Sequence, residues 1–284
     1  MVLEHKKARI IKDRVFTIII IGLTILSILP LFHITIEICI RGLQAIMQSK
    51  LDFFFGVPSP PGSSQLGGIW PAIIGSFVTV LLASLIGIPI SLLTSIYIIE
   101  YPKSVLSKIC DKLALMLTEF PTIIISLFIY IVVVVPMGTP SAFAAALSLT
   151  IIMIPYITIQ AKEALRSIPF TYREAAYSLG LPRSKVIFTI FLGIARRGIL
   201  TSILIGVARA LGDTASILFT AGAATYSFYG LFGHAGAIPL LIFKFIQTSY
   251  ENWIQLAYGA AFILTISTMM IILILRLLIK EVKL

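Results

Sequence analysis

Two residues carry the chemistry most open to reading in this sequence: Arg209 and Asp213, four apart in the otherwise apolar run Gly206-Val-Ala-Arg-Ala-Leu-Gly-Asp-Thr-Ala-Ser-Ile-Leu-Phe-Thr220. An arginine in mid-membrane costs about 2.5–3.5 kcal/mol on insertion scales, so a sequence keeps one only where it faces a partner or a wet cavity. On a helix the four-residue spacing puts both groups on one face. Two readings follow. The pair is an ion pair that locks helix packing, or the guanidinium faces a path for an anion and the carboxylate tunes its release. A planar fork of donors suits tetrahedral oxyanions. Gly206, Ala208, Ala210 and Gly212 permit close helix contact. Thr214 and Thr220 could add hydroxyls, or bond back to their own backbone.

A second stretch differs from its surroundings by being polar and punctuated: Thr171-Tyr-Arg-Glu-Ala-Ala-Tyr-Ser-Leu-Gly180-Leu-Pro-Arg. Thr171 and Glu174 have capping-box spacing, and Ala175 and Ala176 favour helix. Gly180 stands where a left-handed residue ends a helix, and Pro182 follows. The expectation is a short bounded helix over residues 172–179, carrying Tyr172, Arg173 and Glu174 beside small residues. It is either a surface connector or a docking element for another protein.

The elements that must position these groups are membrane spans. Hydrophobic residues make up 58% of the 284, mean hydropathy is +1.05, and only 12% are charged, against about 25% in soluble domains. The net charge of +10 does not indicate nucleic acid, because the charges flank apolar segments instead of forming one basic face. A span needs roughly 20 apolar residues. Six segments qualify, near residues 15–39, 71–99, 113–135, 141–159, 198–221 and 256–278. The first is longer than a signal peptide's apolar core and has no small-residue cleavage site, so it reads as a retained span.

Of the 22 Lys and Arg, only Arg41, Lys50 and Lys244 fall in segments of one side, and Arg209 lies within a span. The positive-inside rule then places both termini in the cytoplasm. Residues 1–14 form a basic cytoplasmic N-terminus, 15–280 an all-α polytopic membrane domain, and 281–284 a cytoplasmic tail. On the outer side, residues 41–70 read as an irregular loop, and 238–246 as a short interfacial helix. Trp70 and Trp253 read as interfacial anchors.

Other candidates are weaker. Cys39 and Cys110 lie far apart on different segments and read as small buried hydrophobes. His33 and Glu37 share a face but lack further metal ligands, and read as a polar pair. Glu119-Phe-Pro121 reads as a helix cap at the inner end of the third span, or as a gate. No nucleophile has a positioned base, no metal-ligand cluster is visible, and there is no phosphate loop of the form G-x-x-x-x-G-K-[ST]. A membrane enzyme would need catalytic groups that are missing, and a scaffold would not need the docking stretch.

The pattern Glu174-Ala175-Ala176-x3-Gly180-x9-Ile190-x-Leu192 resembles the EAA loop of ABC-importer permeases, with Gly193 where that family usually has proline. The resemblance implies a type I importer permease fold of six transmembrane helices. It also implies a coupling loop over about 161–197, with Tyr172, Arg173, Glu174, Ala175, Ala176 and Gly180 contacting a separate ATPase that binds ATP and Mg. The run from Arg209 to Ala221 resembles the phosphate-importer branch of these permeases. That branch reads Arg-x-x-Gly-Glu-Thr-Ala-Pro, then Leu-Phe-Thr-Ala. Here Asp213 replaces the glutamate and Ser216 the proline. Further matches are residues 68–76, 134–138, Ile238-Pro239 and Trp253-x-Gln255-Leu-Ala257. This likeness implies phosphate as substrate, Arg209, Asp213 and Thr214 on its path, and no cofactor in this chain. The implied partners are a related second permease in a heterodimer, two ATPase subunits, an external phosphate-binding protein and membrane lipid. Molybdate or sulfate stands as the alternative substrate.

Overall fold

The structure, a computed structural model, describes residues 2–279. Side chains are described from residue 12, omitting 170, 173, 275, 276, 278 and 279. The expected tail at 281–284 lies outside the described residues. The chain runs α1 (Val2–Ser49), α2 (Asp52–Phe55), α3 (Trp70–Glu100), α4 (Val105–Thr118), α5 (Thr122–Ile129) and α6 (Val135–Met137). It continues through α7 (Ala142–Arg166), α8 (Phe170–Ser178), α9 (Arg183–Lys185), α10 (Leu192–Leu211), α11 (Ile238–Ile246) and α12 (Glu251–Ile279). Among the described residues the only β pairing is two isolated bridges. Among the described residues five helices are long and apolar enough to cross a membrane, and a sixth crossing is supplied if the bent pair α4 and α5–α6 counts as one span.

The hub is α7. Ala142, Ala144, Ala145, Ala146, Met153, Ile157 and Ala161 are fully buried, because α7 packs on α3 along one face and on α10 along another. Small residues make this possible. Ala83, Gly87, Ser91 and Ser95 recur every four residues on α3, a stripe that lets two helices approach closely. Across the seam, the Thr150 and Thr158 hydroxyls point at the Ala83 and Ser91 carbonyls. On the α10 side, a side chain at Gly206 would collide with Ile157. In contrast α1, which packs chiefly on α12, exposes apolar side chains from Val15 to Met47, as a lipid-facing helix does.

Several expectations change. The third span is not one helix over 113–135. The chain bends by 107° between α4 and α5, because Pro121 cannot continue a helix and starts the next one instead. Residues 113–118 therefore belong to α4, an amphipathic helix with Leu106, Ile109, Leu113 and Met116 exposed and Ser107 and Ala114 buried. Glu119 ends α4 and is exposed, which fits the capping role. Beyond the bend, Pro136 has no N–H to donate, and residues 130–134 widen into a π turn closed by Val135 N–H on the Tyr130 carbonyl.

The stretch 41–70 is mostly ordered. The first helix continues to Ser49, α2 buries Phe53 completely, and the irregular part is pinned by Trp253, whose indole N–H donates to the Ser59 carbonyl at 2.9 Å. Trp253 also stacks on Phe245 of α11 at 4.3 Å, so it holds three segments together. The helix at 238–246 forms as expected, but Ile238, Pro239, Leu240, Leu241 and Phe245 face the protein interior. Glu37 pairs with Arg41 at 3.1 Å and accepts from the Tyr258 hydroxyl at 3.2 Å, while His33 is exposed.

The fifth span also stops early. A helix is expected over 198–221, but it ends at Leu211 and residues 213–221 fold back as turns. Non-helical backbone in a membrane protein survives only where other protein groups satisfy it. Here the Thr220 carbonyl accepts from Ser141 N–H at 2.8 Å, Phe219 N–H donates to Ser126 Oγ at 3.3 Å, and Ile217 and Ala221 are buried against Val80 and Ala83.

Candidate functional site

Because α10 ends at Leu211, Arg209 sits in its last turn and Asp213 lies beyond it, not one turn further along the same helix. The cation in the last turn faces the negative end of the helix dipole, which stabilises it there. Arg209 Nη1 meets Asp213 Oδ2 at 2.8 Å. The other oxygen, Oδ1, accepts Ser216 N–H at 2.8 Å. The carboxylate is thus committed on both sides and is buried, its side chain 3% exposed, whereas the Arg209 side chain is 37% exposed. The anion is thus fixed inside the protein, while the Arg209 side chain is only partly covered by this chain. Tyr156 of α7 holds its ring 5.7 Å from the guanidinium carbon, within the range where an aromatic face attracts a cation.

Sequence reasoning missed Tyr156, and Ser216 stood out only as the residue in place of a proline. The signal for Tyr156 was a polar-tipped ring directly after Pro155 in an apolar span. Ser216 acts through its backbone N–H, since its buried hydroxyl has no partner, and no side-chain pattern could reveal that. Thr214 is partly exposed and its carbonyl accepts from Ile217 N–H. The Thr220 hydroxyl bonds back to the Ser216 carbonyl, the second of the two roles open to it.

At the other end of α10 lies α8, residues Phe170–Ser178. It starts one residue before Thr171, and Pro169 precedes it with no side-chain cap. The expected Thr171–Glu174 capping box does not form. Proline before the first turn fixes the start of the helix without needing one. The exit is as expected: Gly180 has φ +70°, and its N–H donates to the Tyr177 carbonyl at 2.9 Å. Tyr172, Glu174, Ala175 and Gly180 are exposed, so they are free to meet another chain. The Arg173 side chain lies outside the described residues. Ala176 is different: it is 3% exposed and packs with Leu165, Val186, Phe191, Ala195 and Ile199. It anchors α8 to the end of α7 and the start of α10 and presents nothing to a partner. Gly193, in place of the usual proline, lies inside a helical run that continues unbroken from Arg183 to Leu211.

A third contact ties this end together. Arg183 Nε donates to Glu100 Oε2 at 3.3 Å and Nη2 to the Glu100 carbonyl at 3.2 Å. The guanidinium also lies 4.8 Å from the Tyr101 ring centre. The end of α3 is thereby clamped to the start of α9, just after α8. Nothing in the sequence pairs them: Arg183 closes the polar stretch, and Glu100 is simply the acid that ends an apolar run.

Comparison with known proteins bears on what this arrangement belongs to. Residues 87–282 match the profile of the binding-protein-dependent transport system inner membrane component family. The chain belongs to that family. It is 42% identical, over 93% of this chain and 92% of the relative, to the probable phosphate transport system permease protein PstA of Methanocaldococcus jannaschii. It is 32% identical, over 81% of both chains, to the phosphate transport system permease protein PstA of Pasteurella multocida. Among solved structures, a bacterial ABC transporter involved in import of the acidic polysaccharide alginate superposes with a TM-score of 0.64 over 96% of this chain and 97% of its own, at 16% identity. The inward-facing MetNI methionine ABC transporter gives 0.57 over 74% and 94%, at 20% identity. At these identities the structures speak for the fold, which is that of the type I ABC importer permeases. As a member of this family the chain is a multi-pass protein of the cell membrane.

Proposed function

We propose that this chain is the transmembrane permease subunit of an ATP-driven importer of inorganic phosphate. The observation that carries the substrate is kinship with phosphate permeases along nearly the whole chain. The partly exposed guanidinium of Arg209 supplies a chemical reason. The chain is a transport subunit and not an enzyme, and its partners include an ATPase and a binding protein, as in the importers of this family. More specifically, the ATPase binds ATP and Mg, two copies of it serve the importer with one docked on the exposed face of α8, a related second permease completes a heterodimer, and the binding protein delivers phosphate from outside. Both termini are cytoplasmic. No cofactor is needed in this chain, because guiding an oxyanion is electrostatics and not bond making.

The proposed cycle is alternating access. Closure of the ATPase moves α8. Ala176 is fixed among Leu165, Val186 and Phe191, and Arg183 grips Glu100, so the push reaches the ends of α7, α10 and α3 together. These helices tilt and open the Arg209 region to the outer side. Phosphate is then held by Arg209 near Thr214 and its counterpart in the second permease. Asp213, competing for the same guanidinium, keeps that hold weak enough for release inward.

The test is uptake by the complete importer in proteoliposomes with labelled phosphate, sulfate and molybdate. Phosphate uptake that needs ATP and is not outcompeted by the other two supports the assignment. Preference for sulfate or molybdate moves the substrate to another oxyanion, and lack of any bound ATPase removes the importer reading.

A further inference from the structure

A cavity with charged and apolar lining lies near the end of α7, which leads into α8. Its volume is about 260 Å³, and it opens between the end of α3, the first turn of α4 and the end of α7, lined in part by Ser107, Lys108, Asp111, Lys162 and Arg166. Three of these are cations and one is an acid. Lys162 is the built part: it is 9% exposed, and its ammonium is held by Asp111 Oδ1 at 2.7 Å, with Glu163 at 3.6 Å. Lys108 and Arg166 are exposed and stand at the mouth. The helix ends do not add to this charge: the start of α4 faces the carbonyl ends of α3 and α7. The pocket still has an excess of positive charge, a fixed cation inside and two free ones at its rim.

What would fill it follows from its place. Both α3 and α7 end here, at the limit of two membrane spans, where headgroups lie. On α4, Lys108 falls between the inward face of Ser107, Asp111 and Ala114 and the outward apolar stripe of Leu106, Ile109, Leu113 and Met116. A ligand with an anionic head and apolar chains meets both features at once, and basic pockets between membrane helices bind such heads. We propose that this cavity seats the phosphate-bearing headgroup of an anionic membrane lipid, with Lys108 and Arg166 gripping the phosphate and Lys162 fixed behind them by Asp111. A bound lipid would bridge α4 to α7 at the base of the segment that carries α8. Free inorganic phosphate shares the head's chemistry but has nothing to place on the apolar stripe.

The experiment uses the full chain in detergent, titrated with phosphatidylglycerol or phosphatidylcholine, with bound lipid counted by native mass spectrometry. Phosphatidylglycerol should bind the wild type more tightly. Replacing both rim cations, Lys108→Gln with Arg166→Gln, should weaken it about 25-fold, taking a factor of about five for each cation near a membrane surface, and should leave phosphatidylcholine unchanged. Since Lys162 and Asp111 hold each other, they are replaced together, Lys162→Met with Asp111→Leu, and this pair should also lose the preference. Equal affinity for the two lipids in the wild type, or an unchanged preference in the rim variant, overturns the site. Displacement of phosphatidylglycerol by inorganic phosphate in excess overturns the lipid assignment in favour of the transported anion.

Discussion

Ser216 N–H donates to Asp213 Oδ1 at 2.8 Å while the other oxygen of Asp213 holds Arg209 at 2.8 Å. This one relationship links the two departures from the phosphate-permease pattern. Where that pattern has glutamate and proline, this chain has aspartate and serine. A proline at 216 has no N–H to give, and a longer side chain at 213 would place its oxygens elsewhere. The two substitutions therefore belong to one local solution for holding a carboxylate against Arg209.

Ser216→Pro should remove a hydrogen bond to a charged group, worth about 1.5–3 kcal/mol, and lower phosphate uptake. Ser216→Ala keeps the N–H and should leave uptake near wild type, since the hydroxyl it deletes has no partner. Asp213→Glu combined with Ser216→Pro should recover activity that Ser216→Pro alone loses. Initial uptake rates of the wild type and these three variants decide this, and equal rates for Ser216→Pro and Ser216→Ala would remove the role given to the N–H.

Arg209→Gln deletes the partly exposed cation and should cut phosphate uptake by roughly 10- to 150-fold, the range for losing one charge-assisted hydrogen bond, with ATPase binding retained. Arg209→Lys keeps the charge but not the fork and should fall in between. If Arg209→Gln transports normally, the pair serves packing and not passage.

Glu174→Lys reverses the charge on the exposed face of α8, and Gly180→Asp puts a negative side chain on the exposed turn that ends it, where φ is +70°. Both should reduce the ATPase recovered with the chain or uncouple hydrolysis from uptake. Ala176→Leu should act differently, by overpacking the cluster around Phe191 and lowering the apparent Tm of the isolated chain. Full coupling in both Glu174→Lys and Gly180→Asp would show that the ATPase docks elsewhere.

Arg183→Ala takes from the Glu100 carboxylate, only 2% exposed, the guanidinium that clamps it. A loss of about 1–3 kcal/mol is expected, seen as a lower apparent Tm in detergent. Phosphate-stimulated ATP hydrolysis should persist better than uptake if the clamp transmits motion. An unchanged Tm together with unchanged coupling sinks both roles.

The sequence by itself determined the class and the frame: six apolar segments, a bounded helix before Gly180, and a charge pair within an apolar run. These are local properties. Apolar length decides what crosses a membrane, and Gly180 with Pro182 ends a helix whatever lies around it. The tertiary structure decided where helices stop inside apolar runs and which partner each charge takes. Leu211 ends α10 because Ser141, Ser126 and Asp213 satisfy the backbone that follows, and those partners come from distant parts of the chain or from a turn that hydropathy cannot show. For the same reason Glu37 chose Tyr258 and Arg41 over His33, Ala176 turned inward, and Arg183 found Glu100. Asp213 was legible as a charge; that it is buried while Arg209 stays accessible was settled only by packing α10 against α7 and folding residues 213–221 back over its end.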